Sequence, residues 1–149
     1  MTTLTVVPRR LLIAAVQDRQ QTITHAEHFL GEAVHVTKKS GGSGEVGPYT
    51  VLHPFPGGPP DEQDLGDAAV DLDWLFQITV ASGDPEDIPA LIDRVDAMFY
   101  RWIPTVEGLV CGPCKPPPGF QAGPILVDRD QSPHRFFVPL QYRTTITAT

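Results

Sequence analysis

The sequence predicts an α+β domain, with two helices packed on one face of a mostly antiparallel sheet. Three observations carry that expectation. Residues 69–81 alternate apolar and polar side chains with near-strict period two, and residues 84–102 then switch to helical spacing. A second alternating run, Arg135 to about Thr147, closes the chain. At 149 residues the chain has the size of one domain and can bury a single sizeable core. No internal repeat is visible.

Taken in order, the first helix starts near Pro8, whose missing N–H costs nothing in a first turn. Leu11, Leu12, Ala15, Val16 and Arg19 follow at helical spacing. A second apolar set, Ile23, Ala26, Phe29 and Leu30, either extends this helix or forms a new one, with Gly31 as its C-cap. The alternation in AVHVTKK, residues 33–39, reads as a strand. SGGSGEVG, residues 40–47, reads as a flexible turn. YTVLHPF is a short strand stopped by Pro54 and Pro56, and a Pro/Gly/acid-rich loop over 56–68 follows it.

In the 69–81 run Val70, Leu72, Trp74, Phe76, Ile78 and Val80 share one face, while Asp71, Asp73, Gln77 and Thr79 share the other. The next helix has Asp84 as N-cap, Pro85 as its first residue, and Glu86 and Asp87 at the positive end of the dipole. Ile88, Leu91, Ile92, Val95, Phe99 and Trp102 form its apolar stripe. Short extended pieces are expected at Val106–Cys111 and Pro124–Asp128, with a further loop over 112–123. In the closing strand Phe136, Val138, Leu140, Tyr142, Thr144 and Ile146 share a face, and Pro139 on the other face points to an edge or a bulge.

Composition narrows the function classes. The apolar fraction is 41%, and the 16 prolines are about twice ordinary usage, which suits a folded domain with extended segments. No run approaches the ~18 apolar residues of a membrane span, so no membrane partner is expected. Near the N-terminus, Gln17, Asp18 and Arg19 end the apolar patch too early for a signal peptide, which reads as a soluble, unexported protein. The net charge is −7, and the excess acid lies almost wholly after residue 60. With no basic cluster beyond Arg9-Arg10 and Lys38-Lys39, tight gripping of nucleic-acid phosphates is not expected. Passage of DNA past the protein without adhesion stays open.

One short motif tests the enzyme class. Cys111-Gly112-Pro113-Cys114 matches the redox loop of thioredoxins. Such a pair works when its first cysteine caps a helix, whose dipole lowers the thiol pKa. Here Lys115 is followed by Pro116, Pro117, Pro118 and Gly119, a run that forbids the helix. Two readings fit better: a strand-end turn with reduced thiols, or an incidental local disulfide. A third takes Cys111 and Cys114 as half of a zinc site completed by His25 and His28, three apart on a possible helix face, or by His134.

The acidic cluster Asp61, Glu62, Asp64, Asp67, Asp71 and Asp73 lacks the oxygen register and terminal glutamate of a calcium loop. It reads as solvated loop charge and supplies the candidate interface residues. No nucleophile elbow, phosphate-binding glycine loop or zincin motif is present. No catalytic residue and no cofactor are expected.

A combination of segments resembles a known family. GPYTVLHPFPGG (47–58) leads to DLDWLFQITVASGDPEDIPALIDRVDAMFYRW (71–102), in which an alternating strand runs directly into a helix carrying Ile92-Asp93-Arg94-Val95. DRDQSPHRFFVPLQYRTTITAT closes the chain, with Phe136 six residues before Tyr142-Arg143. This pattern is similar to the tail terminator (tail-completion) proteins of long-tailed bacteriophages, especially those of high-GC actinobacterial hosts. It covers residues from about Pro8 to Thr147, and the segment Cys111–Gly123 departs from it. The resemblance implies a non-enzymatic assembly protein. Six copies would ring the end of the tail tube, stop its polymerisation and join tail to head. The implied partners are further copies of the chain, the tail tube protein, a head-tail connector or neck protein, and DNA passing through the lumen. The implied location is the neck end of the virion tail, reached from the host cytoplasm. A different neck protein is the rival within this class. A thiol-redox or zinc protein built on Cys111 and Cys114, or a small-ligand protein on a similar fold, is the rival outside it.

Overall fold

Helix α1 (Arg9–Gln20) leads into strands β1 (Glu27–Leu30), β2 (Tyr49–Pro54) and β3 (Asp71–Ser82). Helix α2 (Asp87–Phe99) follows, and then β4 (Leu109–Cys111), β5 (Leu126–Asp128) and β6 (Arg135–Ala148). This is a computed structural model, and it describes residues 7–39, 44–58 and 71–148. The strands form one sheet in the order β1-β2-β3-β6-β4, with β5 also pairing β6. Only the β1–β2 pair is parallel. The α+β class follows, with both helices on one face.

That face is built by the two long alternating runs. Strands β3 and β6 pair in register from Asp71↔Thr147 to Ser82↔Phe136, twelve residues on each strand. Even-numbered side chains therefore meet even-numbered ones, and Trp74, Phe76, Ile78, Val80, Val138, Tyr142 and Ile146 are buried beneath the helices. Helix α2 contributes Ile88, Leu91, Val95 and Phe99, and α1 contributes Leu12 and Val16. Phe76 stacks on Tyr142 at 5.5 Å and meets Phe99 edge-on at 5.5 Å. Full burial of such side chains stabilises by about 1.5–3 kcal/mol each. The Trp74 indole N–H donates to the Phe55 carbonyl at 2.8 Å, so its polar edge is satisfied as well.

The second helix starts a little later than its spacing predicts. Asp84 Oδ1 accepts the Glu86 N–H at 2.9 Å, as a cap should, but residues 85–86 form a turn and regular helix begins at Asp87. Trp102 lies beyond the helix end and packs edge-on against Phe99 at 5.7 Å.

Two expectations fail. The set Ile23, Ala26, Phe29 and Leu30 is not helical. The Thr22 hydroxyl donates to the Arg19 carbonyl at 2.6 Å, closing α1, and β1 pairs in parallel with β2. Spacings of three are compatible with a helix, but sheet pairing and the β-branched Thr22-Ile23-Thr24 run prevail. Segment 33–39 is not a strand either. His35 sits at φ 58°, which breaks an extended run, and among the described residues a single bridge, Lys38↔Val46, survives. Instead the segment crosses the helix-free face of the sheet. There Ala33, Val36 and Phe29 pack on a second small core of Val46, Tyr49, Val51 and Ala81.

Pro139 has a local explanation. Arg143 exchanges backbone hydrogen bonds with Lys115, and the Thr145 carbonyl accepts from Gly112, so odd-numbered residues of β6 direct their backbone away from β3. The period of two turns the Pro139 nitrogen the same way. There β5 stops at Phe137 and the next bridge is at Arg143. Proline thus occupies a gap in the edge where no N–H is required.

Candidate functional site

Of the acidic interface candidates, Asp61, Glu62, Asp64 and Asp67 lie outside the described residues. Asp71 is placed by its backbone alone, opposite Thr147. Asp73 is on the helix-free face, where its Oδ1 lies 3.1 Å from Arg143 Nε. That oxygen makes no well-directed hydrogen bond, so the contact is a charge pair. The flanking backbone is tightly set. Gly58 and Asp73 exchange backbone hydrogen bonds at 3.0 and 2.8 Å, and a Cβ on Gly57 would stand 2.8 Å from the Asp73 carbonyl. The polar ladder continues along this face as Gln141 Nε2 donates to Gln77 Oε1 at 3.4 Å.

The cysteine segment is a structural staple. Cys111 ends β4 opposite Ile146, and no helix follows Cys114. The Gly112 N–H donates to the Thr145 carbonyl at 2.9 Å, and Thr144 Oγ1 donates to the Gly112 carbonyl at 2.6 Å. Cys114 donates its N–H to the Trp102 carbonyl at 2.8 Å and accepts the Arg101 N–H at 2.7 Å. The turn therefore ties the end of α2 to β6. Both cysteines are buried free thiols. Burial pushes the Cys111 thiol up, and burial together with neighbouring Cys111 pushes Cys114 up to about 12. A nucleophilic pair needs the opposite shift.

The histidines proposed as further zinc ligands are not gathered there. His28 lies on β1 with both ring nitrogens engaged, and His25 is in the exposed turn before it. No group of three or more His, Cys, Asp or Glu side chains able to hold a metal ion comes together among the described residues. Among those residues, too, no helix is long and apolar enough to cross a membrane.

A groove of about 410 Å³ runs across the helix-free face. Its floor is Tyr49, Val51, Ala81 and Phe137, and its walls are the Gly31–Ala33 turn and Arg135 with Asp128. Arg135 caps the Tyr49 ring at 5.6 Å and donates to its hydroxyl at 3.3 Å. Exposed apolar side chains lie at both lateral ends of the sheet, and Leu11, Phe55, Tyr100 and Ile103 are further exposed ones elsewhere. Leu30 (47% exposed) and Val34 (50%) flank β1, while Val110 (58%) and Leu126 (44%) project from β4 and β5.

Sequence reasoning missed the polar contacts that anchor the 27–46 region. Lys39 Nζ lies 2.7 Å from Asp87 Oδ2 and 3.6 Å from Asp84, and Ser82 Oγ donates to Asp87 at 2.7 Å. Burial raises the Asp87 pKa, but the hydrogen bonds from Lys39 and Ser82 and the Lys39 charge outweigh it and hold the carboxyl low. A capping acid such as Asp87 is visible in sequence, but its lysine partner 48 residues earlier is not. No protein-family model matches this chain, and no curated protein matches its sequence.

Proposed function

We propose that this chain is a non-catalytic assembly subunit of the tail terminator type. In this role a ring of copies caps a phage tail tube, ends its growth and presents the surface that meets the head. One observation carries the reading beyond the sequence resemblance: exposed apolar side chains lie at both lateral ends of the sheet, on different elements. A ring built by rotation needs two unlike, mutually fitting surfaces on each subunit, and β1 with its flank and β4 with β5 supply two. Exposed edges with apolar side chains favour association. The tube protein and a neck protein would meet the ring's axial faces. The acid excess would let DNA pass without adhering wherever those carboxylates face the lumen.

Light scattering across a concentration series, with reductant present, tests this. Expected is a species of six times the 16.3 kDa chain, alone or in equilibrium with monomer. Leu30→Asp and Val110→Asp should each shift that equilibrium towards monomer. A wild-type chain that stays monomeric, both alone and when mixed with tail tubes, would sink the proposal.

A further inference from the structure

Four elements converge on one polar cluster, buried at Gln20 and Thr50 and half-buried at His28. Gln20, at the end of α1, donates from Nε2 to Thr50 Oγ1 on β2 at 2.9 Å and to the Phe29 carbonyl on β1 at 3.2 Å. His28, on β1, places Nδ1 2.7 Å from the same Thr50 hydroxyl and Nε2 2.8 Å from the Ile23 carbonyl in the connecting turn. Gln20 and Thr50 are almost wholly buried.

The donors and acceptors of this cluster admit one neutral arrangement. A carbonyl only accepts, so Nε2 must carry the proton shared with Ile23. Nδ1 is then an acceptor, and the Thr50 hydroxyl donates to it while accepting from Gln20. A second proton on the ring reverses the bond at Nδ1. The Thr50 hydroxyl hydrogen is then left without its acceptor in a buried site, and the imidazolium is itself desolvated.

We propose that His28 is a proton-sensitive latch that holds the edge strand β1 against α1 and β2, and that its protonation releases β1 ahead of the rest of the sheet.

The surroundings fit this. On α1, Arg19 is turned away, with Nε donating to the Met98 carbonyl at 2.9 Å and its guanidinium over Trp102 at 5.5 Å. On β1, Glu27 accepts the Thr37 N–H at 2.7 Å. In the turn, His25 is exposed, and on β2 the group that faces the ring is Thr50. Among the described residues no carboxylate pairs with the His28 ring, and burial lowers its pKa, opposed by the Ile23 hydrogen bond. The sign follows: a folded value below the ordinary 6.5 gives stability that is present above that pH and lost as pH falls through the folded value. β1 is the element that yields, because it is four residues long and pairs on one side only. Its departure leaves β2 as the sheet edge. This inference does not depend on the assembly reading.

Two measurements on the intact chain test it. Imidazole NMR should find His28 in the neutral Nε2–H form at pH 7.5, with a midpoint below 6.5. The Nδ1–H form, or a midpoint at or above that value, overturns the latch. Hydrogen exchange should show the protection factors of the Glu27 and Gly31 amides, which donate to Pro48 and Leu52, falling by up to about tenfold per pH unit as pH drops from the ordinary 6.5 to the midpoint, and levelling off below it. Amides of β3 should hold their protection over the same range. His28→Asn should abolish the pH-dependent fall. Equal loss in β1 and β3, or a fall that persists in the variant, overturns the proposal, and the wild-type NMR result decides even if that variant does not fold.

Discussion

The β3–β6 pair on one side, and β1 with the described residues up to Val46 on the other, are held by different physics. The first pairs twelve residues with twelve and buries an aromatic row under two helices. The second has one four-residue parallel strand and a segment crossing the opposite face. It is fastened by individual polar contacts: Glu27 to Thr37, Gln20 and His28 to Thr50, and Lys39 to Asp87. Area burial makes the long pair robust to any single polar loss. The described residues of the second region, 27–39 and 44–46, depend on each contact in turn, so their stability is local and condition-dependent.

The largest way to break this contrast is in the core shared by the long pair and α2. Trp74→Ala or Phe99→Ala should destabilise the whole domain by about 3–5 kcal/mol, read as a lower denaturant midpoint with unchanged slope. A loss confined to residues 27–46 would refute the division. Next is the contact between the regions. A Cβ at Gly83 would stand 2.8 Å from the Val46 nitrogen and 2.9 Å from its carbonyl oxygen. Gly83→Ala should therefore cost about 1–3 kcal/mol, with exchange protection lost first around Val46.

Thr50→Val should cost about 1–3 kcal/mol, because it strips a buried partner from both His28 and Gln20. Its exchange signature should concentrate in β1 while β3 stays protected. Lys39→Ala should cost least, below about 1 kcal/mol and less still in high salt, since the pair is partly exposed. The Asp87 share of that stabilisation is present above the ordinary carboxyl value of 3.8 and lost as pH falls through its lowered value. A Lys39 effect that is large and insensitive to salt would mean that this region is packed like the core.

Legibility follows the same line. The 69–81 and 135–147 alternations and the stripe from Ile88 to Phe99 were readable because one period persisted over three or more turns or pleats. Ile23, Ala26, Phe29 and Leu30 offered four positions that either period tolerates, and the partner that decided them, β2, lies 22 residues further on in register. In 33–39 the alternation was real, but His35 in the left-handed region interrupted it. That no helix follows Cys-Gly-Pro-Cys was readable from the prolines after it. That its thiols are pushed up by burial needed the core around Cys114.

The sequence by itself determined the α+β class, the two long strands, the second helix and which of their faces is apolar. Local periodicity is written in neighbouring residues and survives whatever the chain packs against. Only the tertiary structure decided that β6 lies inside the sheet with a proline-marked gap in its pairing, that β1 is a parallel edge, and that Gln20, His28 and Thr50 share their protons. Those outcomes depend on residues distant in sequence meeting at hydrogen-bond range, and no local pattern encodes that distance.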